Sequence, residues 1–412
     1  MHKFRTISDV DVAWRTVLMR VDLNVPIRDG KVADATRIAR VAPTIADMVK
    51  RRAKVVVLSH LGRPKGKVSA EYSLAPVAPA LAQALGQEVK FLPDCIGPDV
   101  ESVLATAKPG EVYLLENLRF HAGEEKGDMD FARSLAKLGE IFVSDAFSSS
   151  HRAHASITGL ADLMPSYAGR LMGAEISALE AALECPKRPT AALVGGAKIS
   201  SKIAVLENLV GKMDRIIIGG GMANTFLLAK GIPVGKSLIE ADMVETAARI
   251  MDKAKEGGCE ILLPSDVVVA ESFAANAPHV VVPVDKVSPD GMILDVGPET
   301  VATLKSSLGT LATLLWNGPL GAFELEPFGN GTFGVARAAA DLVSAGKLVA
   351  VAGGGDTVAA LNAAGVADRF TYVSTAGGAF LEWLEGRELP GVIALLDNQA
   401  SAQKKSKLEE VR

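Results

Sequence analysis

Short apolar runs rich in β-branched residues alternate with amphipathic segments along almost the whole chain. Continuously apolar strands that alternate with helices are typical of parallel sheets covered on both faces. The pattern therefore predicts an α/β protein with two doubly wound, Rossmann-like parallel-sheet domains. In the first half, the predicted strands are Thr16–Val21, Lys54–Leu58, Val89–Phe91, Val112–Leu115 and Ile141–Val143. In the second half, they are Thr190–Val194, Arg215–Ile218, Ile261–Leu263, Val280–Val284, Ala312–Trp316, Leu348–Ala352 and Phe370–Val373.

The clearest helical pattern places Ile38, Ile45 and Met48 on one face of a segment, in which Pro43 is expected to introduce a kink. Another helix is predicted near Leu171–Leu183, just before a proline-rich break in the chain. We therefore predict a first domain at residues 1–170, a connecting helix at 171–185, a second domain at 186–375 and a final segment at 376–412.

Composition limits the possible classes of protein. With 412 residues, the chain is long enough for two sizeable cores and too long for one. A net charge of −4 argues against a nucleic-acid-binding protein. The three cysteines are widely spaced, which indicates free thiols in a reducing compartment. No apolar run approaches membrane-spanning length, and Met1–Val10 lacks a signal-peptide core. We expect a cytoplasmic protein that binds neither membranes nor nucleic acid.

The stretch Thr190–Ile203 has the elements of a phosphate-binding turn. A predicted strand ends at Gly195–Gly196, and a helical pattern that carries Lys198 and Lys202 follows at once. Glycines let backbone N–H groups approach an anion, and a helix N-terminus adds positive potential. The stretch is not a Walker loop. A tight turn before an ordinary surface helix with two solvated lysines is the alternative interpretation.

Basic residues recur after the strands of the first half, where doubly wound sheets bind their ligands. Five arginines at one edge of a sheet would repel one another unless an anion neutralised them, and the planar guanidinium suits phosphate and carboxylate. The alternative is that each arginine pairs with a nearby Asp or Glu, which is less plausible for five than for one. The candidate residues are Arg20, Asp22, Asn24, Arg37, His60, Arg63, Arg119 and Arg152.

Glycine-rich turns occupy the same positions in the second half, as nucleotides require. They are Gly195-Gly196 with Lys198, Gly219-Gly220-Gly221, Asn317-Gly318-Pro319, Gly353-Gly354-Gly355-Asp356-Thr357 and Ser374–Gly378. A carboxylate beside a polyphosphate is repulsive unless a cation bridges the two, so Asp356 implies Mg2+. Asp356 could also, or instead, be the N-cap of a helix over Thr357–Ala364.

Two other patterns suggest different functions. Gly329–Gly334 matches G-x-G-x-x-G, but no good strand precedes it; we predict a loop before a helix around Val335–Leu342 rather than a dehydrogenase fingerprint. His60, His151 and His154 could suggest a metal site, but no cysteine or paired carboxylate completes it. Polar contacts to substrate are the favoured interpretation of these histidines.

An arginine-lined anion site together with a glycine-rich Mg-nucleotide site indicates phosphoryl transfer between a small polyanion and ATP or ADP. This chemistry needs alignment and charge neutralisation more than covalent catalysis. The lack of an obvious general base favours an acceptor that is already ionised, such as a carboxylate.

With these residues identified, the sequence closely resembles the phosphoglycerate kinase family from about Met19 to Leu395. The resemblance rests on the motifs RVDLNVP at 20–26, HLGRP at 60–64, ENLRF at 116–120, HRAH at 151–154, GGAK at 195–198, GGGM at 219–222, WNGP at 316–319 and GGGDT at 353–357. It implies reversible transfer from 1,3-bisphosphoglycerate to MgADP, which gives 3-phosphoglycerate and MgATP, a step of glycolysis and gluconeogenesis.

The family pattern also implies a role for each matching residue. Asp22, Asn24, Arg37, His60, Arg63, Arg119 and Arg152, with Arg20, would bind phosphoglycerate. Lys202 and Asn317 would contact the nucleotide phosphates, Glu324 the ribose, and Gly195 with Gly219–Gly221 the adenine side. Asp356 would hold Mg2+, with Pro319, Gly353–Gly355 and Thr357 in the same nucleotide site. Arg37 and Lys198 would lie beside the transferred group and, together with Gly377, are the catalytic candidates. Gly377 and Gly378 would also serve hinge bending between the domains of a monomer, whose final segment returns to the first domain.

The sequence departs from the family pattern at a few positions. Ser149-Ser150 replaces an expected Thr-Ala, Ala376 replaces a glycine beside the hinge, and Asn224 stands where an aromatic residue is common. Lys404–Arg412 extends beyond the usual end. Ala376 could alter closure, but no charged group that the mechanism needs is lost. A non-catalytic nucleotide-binding protein on the same fold is the rival hypothesis.

Overall fold

The structure, a computed structural model, describes residues 4–396, which form two compact units. The first unit contains the described residues up to Ile176 together with those from Glu388 onward, and the second is Ser177–Arg387. Among residues 4–396, every helix is too short or too polar to cross a lipid bilayer.

The first unit is built on a six-stranded parallel sheet with the strand order β5-β6-β4-β1-β7-β8. A short antiparallel hairpin of β2 and β3 lies outside this sheet. The strands are β1 (Thr16–Val21), β2 (Ile27–Arg28), β3 (Lys31–Val32), β4 (Lys54–Leu58), β5 (Val89–Leu92), β6 (Val112–Leu115), β7 (Ile141–Asp145) and β8 (Ser166–Ala168). The helices are α1 (Thr36–Lys50), α2 (Val77–Leu85), α3 (Pro98–Ala105), α4 (Ala122–Lys126), α5 (Met129–Ala136), α6 (Leu160–Leu163) and α7 (Arg170–Leu179).

Both faces of this sheet are covered, which explains why its strands are apolar throughout. Val17 and Met19 of β1 belong to one buried apolar cluster, whereas Leu18 between them belongs to another on the opposite face. Successive side chains of a strand point to opposite faces, so burial on both faces requires an unbroken apolar run.

The second unit contains a parallel sheet with the order β11-β10-β9-β15-β16-β17 and an antiparallel side sheet with the order β13-β12-β14. The strands are β9 (Thr190–Val194), β10 (Arg215–Ile218), β11 (Glu260–Leu262), β12 (Asp266–Ala270), β13 (His279–Pro283), β14 (Met292–Val296), β15 (Thr313–Asn317), β16 (Val349–Gly353) and β17 (Tyr372–Ser374). The helices are α8 (Ile203–Leu209), α9 (Gly221–Ala229), α10 (Val244–Glu256), α11 (Pro298–Leu308), α12 (Asn330–Ser344), α13 (Gly355–Ala363) and α14 (Gly378–Leu384).

These two parallel sheets confirm the predicted fold class. The strand predicted at Val280–Val284 exists as β13, but it belongs to the antiparallel side sheet. Helix α1 continues through Pro43, and a helix over the predicted segment near Leu171–Leu183 is present as α7, extended by a π-helical turn at Glu180–Glu184.

The prediction of a loop at Gly329–Gly334 is wrong, because helix α12 already begins at Asn330. The N–H of Gly331 donates to Asp295 Oδ2 at 2.8 Å and so anchors the first turn. A Cβ at Gly331 would lie 2.5 Å from Asp295 Oδ1, so this position needs glycine for packing rather than for a dinucleotide.

The last described residues, 390–396, are helical and pack on the first unit. The N–H of Gly391 donates to the carbonyl oxygen of Ser150 at 2.8 Å, and Ala394 is part of the core. The extension Lys404–Arg412 lies outside the described residues.

Candidate active site

The predicted basic residues of the first unit lie at the carboxyl ends of its central strands. Arg20 is opposite Leu58 in the pairing of β1 with β4, and Val21 is opposite Asp145 in the pairing of β1 with β7. The loops that follow these strands therefore start side by side at one edge of the sheet.

Asp22 orients Arg37 in this edge. Arg37 Nη1 lies 2.6 Å from Asp22 Oδ2, which also accepts a hydrogen bond from the Ser148 hydroxyl. Burial alone would raise the pKa of Asp22, but the positive charge of Arg37 and the hydrogen bonds from Ser148 and the Asn24 N–H hold it below its ordinary value. Asp22 is therefore ionised, and it holds a guanidinium that stays partly exposed.

Arg20 lies beneath the surface rather than on it. Its side chain is fully buried, its Nη2 lies 3.1 Å from His60 Nδ1, and its Nε donates to Ser156 Oγ at 2.9 Å. Burial lowers the pKa of Arg20, and the positive charge of Arg119 adds to this effect while Glu124 and Asp22 oppose it. The structure thus separates Arg20 from Arg37, Arg63 and Arg152, which reach the surface at least in part, whereas Arg119 is also buried.

Arg63, Arg119 and Arg152 form a cluster of like charges. Arg119 Nη1 donates to the Gly62 carbonyl at 2.8 Å, and Nε lies 3.4 Å from Glu125 Oε1. Burial lowers the pKa of Arg119, and the charges of Arg152 and Arg63 lower it further, although Glu125 opposes them. Arg63 and Arg152 form no ion pair with any of residues 4–396. The alternative of simple surface ion pairs therefore accounts for Arg37 and Arg119 but not for these two.

Two further predictions from the sequence concern Asn24 and the three histidines. Asn24 Oδ1 accepts the Gly62 N–H at 2.9 Å and so ties the loop after β1 to the loop after β4. The only group of three side chains placed to hold a metal within residues 4–396 is Asp94 with Cys95 and His121. The histidine pattern noted in the sequence does not form such a group there.

The stretch of the second unit that is predicted to bind phosphate differs in structure from the prediction. The helix does not follow Gly196 at once but begins at Ile203, so Lys198 lies in a loop and Lys202 is the N-cap residue. Lys198 is exposed, whereas Lys202 is half-buried and its Nζ donates to Asn317 Oδ1. Burial lowers the pKa of Lys202, against the opposing charges of Asp356 and Glu385.

The glycine turns of this unit pack backbone against backbone. The N–H of Gly195 donates to the Asn317 carbonyl at 2.9 Å, and a Cβ on Gly195 would lie 1.9 Å from the Pro319 carbonyl oxygen. Gly220 has φ +68°, and its N–H donates to the Leu320 carbonyl at 2.8 Å. Gly195 and Gly220 allow neighbouring loops to pass close to each other, whereas a Cβ on Gly355 would meet no other atom within 4 Å.

A cavity of about 510 Å³ lies beside these turns. Of the residues predicted to bind nucleotide, it is lined by Gly220, Gly221, Pro319, Glu324 and Asp356. Much of the remaining wall is apolar and includes Leu238, Phe273, Leu294 and Leu320. The size and the mixture of apolar wall and few polar groups are typical of a small-molecule site.

Asp295 also lines the cavity, and the sequence analysis missed it. The carboxylate accepts the N–H groups of Gly331 and Val296 at 2.8 and 2.9 Å, and burial raises its pKa to about 7 although both hydrogen bonds oppose this shift. The apolar run MILDV of β14 is typical of a strand, and predicting this strand would have placed Asp295 near its carboxyl end.

Asp356 does not cap α13, so the alternative prediction that it is the N-cap of this helix is wrong. The N-cap is Gly354, and Asp356 is the second helical residue, exposed beside the cavity. Thr357 is buried, and its hydroxyl accepts the Gly318 N–H at 2.7 Å. Asn317 Nδ2 in turn donates to the Gly353 carbonyl at 2.7 Å, which joins the turns after β15 and β16.

Gly377, the predicted hinge element, is the N-cap of α14 with φ +52° and ψ −100°. A Cβ there would meet no other atom within 4 Å, so the backbone conformation rather than space requires glycine. Ala376, in place of the expected glycine, is buried, and its N–H donates to Ser374 Oγ at 3.2 Å.

Comparison with known proteins shows the family of this chain. A family model described as phosphoglycerate kinase matches residues 7–387. Phosphoglycerate kinases of Cereibacter sphaeroides and Rhodospirillum centenum are each 58% identical, over 393 and 392 residues, which cover 95% of this chain and 99% of each relative. The solved structure of phosphoglycerate kinase from Coxiella burnetii has a TM-score of 0.90 at 42% identity and covers 96% of this chain and 99% of its own. That from Pyrococcus horikoshii has a TM-score of 0.81 at 32% identity, with 97% and 100% covered. The chain belongs to the phosphoglycerate kinase family.

Proposed function

We propose that this protein transfers a phosphoryl group reversibly from 1,3-bisphosphoglycerate to MgADP and so forms 3-phosphoglycerate and MgATP, as its family does. The observation that carries the proposal is the cluster of Arg63, Arg119 and Arg152, in which only Arg119 has an acidic partner within residues 4–396. Such a cluster favours a ligand that brings several negative charges. A phosphoglycerate, with a carboxylate and at least one phosphate, is a ligand of this kind.

Phosphoglycerate would be bound by the side chains at the edge of the first sheet. Asn24 and Asp22 position the loop after β4 and the Arg37 guanidinium, respectively. Arg20 acts from beneath, through His60, because it is fully buried. The proposed phosphoglycerate-binding residues are Asp22, Asn24, Arg37, His60, Arg63, Arg119 and Arg152, with Arg20 behind them.

The nucleotide would occupy the cavity of the second unit. Its apolar wall suits adenine, and Glu324 offers a carboxylate to the ribose. Lys202 donates to Asn317, and the charge of Asp356 acts on Lys202, so a cation and a carboxylate are near each other, as a metal-bound polyphosphate requires. The proposed nucleotide-binding residues are Gly195, Lys198, Lys202, Gly219, Gly220, Gly221, Asn317, Pro319, Glu324, Gly353, Gly354, Gly355, Asp356 and Thr357.

Asp356 fits the proposed Mg2+ site. No side chain or N–H among residues 4–396 is hydrogen-bonded to its exposed carboxylate, so both oxygens are available. Mg2+ is commonly held by one or two carboxylates and the substrate phosphates. When bound, the ion would neutralise charge on the phosphates, while Lys202 supplies a second positive charge from the protein.

The acceptor in the direction of ATP consumption is a carboxylate, which is already ionised and needs no general base. The chain must then align the reactants and neutralise the charge on the transferred group. Lys198 suits this task, because it is exposed and forms no ion pair with any residue from 4 to 396. Arg37 would act beside the same group from the phosphoglycerate side.

Direct in-line transfer requires the two substrates to meet, so we also propose hinge bending between domains at 1–170 and 186–375. The connecting helix at 171–185 and the segment 376–412 would accommodate the motion. Gly377 has a backbone conformation that depends on glycine, which supports a hinge role for it and Gly378. We expect the enzyme to act as a cytoplasmic monomer in glycolysis and gluconeogenesis.

The decisive test is a coupled assay of ATP-dependent phosphorylation of 3-phosphoglycerate by the pure protein. We expect Mg-dependent turnover that stops when the metal is chelated and resumes when Mg2+ is restored. The rival hypothesis is a non-catalytic nucleotide-binding protein, against which the presence of Arg37, Lys198 and Asp356 argues. Nucleotide binding without turnover would support that rival and reject the kinase proposal.

A further inference from the structure

We propose that a buried chain of hydrogen bonds from Glu124 through Ser156 to Arg20 fixes the tautomer of His60, so that this ring offers Nε2–H to an oxygen of the bound phosphoglycerate. The inference rests on the proposed function only for the identity of that ligand. It makes Glu124 and Ser156 positioning residues, although neither was a candidate from the sequence.

The direction of each hydrogen bond follows from the donors and acceptors. Glu124 is fully buried, and its carboxylate accepts the Ser156 N–H at 3.0 Å and the Ser156 hydroxyl at 2.6 Å. Because the hydroxyl hydrogen is used toward Glu124, Ser156 Oγ is free to accept from Arg20 Nε at 2.9 Å. The carboxylate thus sets the polarity of the serine, and the serine holds one side of the guanidinium.

Arg20 then sets the protonation of the ring. Its Nη1 donates to the Val21 carbonyl, and its Nη2 lies 3.1 Å from His60 Nδ1. A guanidinium has only donors, so Nδ1 must be the bare nitrogen that accepts. A neutral ring with a bare Nδ1 carries its hydrogen on Nε2. That nitrogen has no partner among residues 4–396, and 6% of the residue's surface stays exposed.

The charges around the ring keep it neutral. Burial and the positive charge of Arg20 hold the pKa of His60 well below its ordinary value; Arg119 and His154 act in the same direction, and Asp22 opposes them. Burial would raise the pKa of Glu124, but nearby His154, Arg20 and Ser156 keep it below its ordinary value, so the carboxylate is ionised. His154 Nδ1 lies 3.7 Å from Glu124 Oε1.

The tautomer matters because the ligand is an anion. With the hydrogen on Nε2, the exposed nitrogen donates to a carboxylate or phosphate oxygen, whereas the other tautomer would present a lone pair to it. If Arg20 loses its contact with the ring, both tautomers and the charged form become accessible. The main consequence is weaker binding of phosphoglycerate, since the transfer of the phosphoryl group does not itself depend on His60.

The test combines nitrogen NMR of 15N-histidine-labelled protein with kinetics. The His60 signals are assigned by their loss in His60→Gln. In the wild type we expect a neutral Nε2–H ring that does not titrate between about pH 5 and about pH 8. This measurement needs no substrate, so it stands or falls independently of the kinase assay.

Glu124→Gln and Ser156→Ala disturb the chain with little change in volume. In Glu124→Gln, the new side-chain amide would donate to Ser156 Oγ and compete with Arg20 for it. We expect both variants to let His60 titrate or exchange tautomers and to raise the KM for 3-phosphoglycerate about tenfold while kcat changes less than about threefold. Ser156→Thr retains the hydroxyl and should restore both readouts. Ser166→Ala, which removes another buried hydroxyl of the first unit, should behave like the wild type.

A wild-type ring with the hydrogen on Nδ1, or one that titrates near its ordinary pKa, would overturn the inference even if the variants fail to fold. Unchanged His60 signals in folded Ser156→Ala would also overturn it. Absence of kinase turnover alongside the expected tautomer would reject the proposed function but leave the role of Glu124 and Ser156 intact.

Discussion

Replacing Gly195 with alanine should destabilise the second unit, whereas the same change at Gly355 should not. Both glycines follow parallel strands at the proposed nucleotide site. A Cβ on Gly195 would lie 1.9 Å from the Pro319 carbonyl oxygen, but a Cβ on Gly355 would meet no atom within 4 Å. Gly355 is also the first residue of α13 and has no positive φ, so its backbone accepts alanine.

The size of the effect at Gly195 follows from the rigidity of its neighbours. The contact involves backbone atoms of the Gly318–Pro319 turn, which cannot rotate away as a side chain can. The hydrogen bond from the Gly195 N–H to the Asn317 carbonyl, 2.9 Å long, resists separation of β9 and β15. Relief needs a backbone shift of about 1 Å, and overpacking of this kind costs up to about 3 kcal/mol. For a unit of this size, that corresponds to a fall in Tm of about 6–12 °C.

Urea unfolding followed by circular dichroism measures the free energy of unfolding of each variant. Initial rates of the enzymatic reaction give the KM for MgADP. At Gly355, alanine in a helix should leave stability unchanged or raise it by up to about 1 kcal/mol. If nucleotide phosphate approaches this backbone, the added methyl group should raise the KM for MgADP about tenfold without loss of stability.

Two results would refute this reasoning. A Gly195→Ala protein as stable as the wild type would show that the loop crossing is not tightly constrained. A Gly355→Ala protein with wild-type KM for MgADP would remove this turn from the nucleotide site. Because each variant has its own readout, neither result can be attributed to the other position.

Three further predictions concern single side chains. Lys198→Ala should lower kcat at least about 100-fold, roughly 3 kcal/mol of transition-state stabilisation, with modest changes in KM; steady-state kinetics that show only weaker nucleotide binding would contradict this role. Arg37→Ala should lower both kcat and phosphoglycerate affinity, and near wild-type kinetics would refute its placement. Burial raises the pKa of Asp295 from 3.8 to about 7, so between these pH values the folded state keeps a proton that the unfolded state releases. The free energy of unfolding should therefore fall as pH rises between these values, by up to about 1.4 kcal/mol per pH unit. Asp295→Asn should flatten that dependence in urea titrations from about pH 4 to about pH 7; the same slope in both proteins would disprove it.

The central strands could be predicted from sequence because burial on both faces leaves an unbroken apolar run between polar ends. Thr16–Val21, Lys54–Leu58 and Thr190–Val194 have the predicted bounds for this reason. Short or peripheral strands carry less signal. The three residues of β8 are too few for a pattern, and β12 and β14 form a side sheet outside the alternation of strands and helices.

The residue types of the candidate site could be named from the sequence, but their hydrogen-bond partners could not. Strand ends indicate where a ligand binds, so Arg119 and Asp356 could be named without a structure. However, the serine that holds Arg20 is 136 residues away in the chain, and the asparagine that holds Lys202 is 115 residues away. Nothing in the sequence showed that Arg20 is buried behind the site while Arg63 is exposed in it.

Arg20 is fully buried and Lys202 is half-buried, and the two share a physical arrangement that suits anionic ligands. Arg20 donates to a neutral ring nitrogen and Lys202 to a neutral amide oxygen, and neither forms an ion pair within the described part of the chain. Carboxylates act on each only from farther away: Glu124 and Asp22 on Arg20, Asp356 and Glu385 on Lys202. A direct ion pair would cancel most of each cation's electric field, whereas a neutral partner satisfies its hydrogen bonds and leaves its charge free to act on a ligand. Burial lowers the pKa of both groups, and the charge that they keep is available to the phosphates of the proposed substrates.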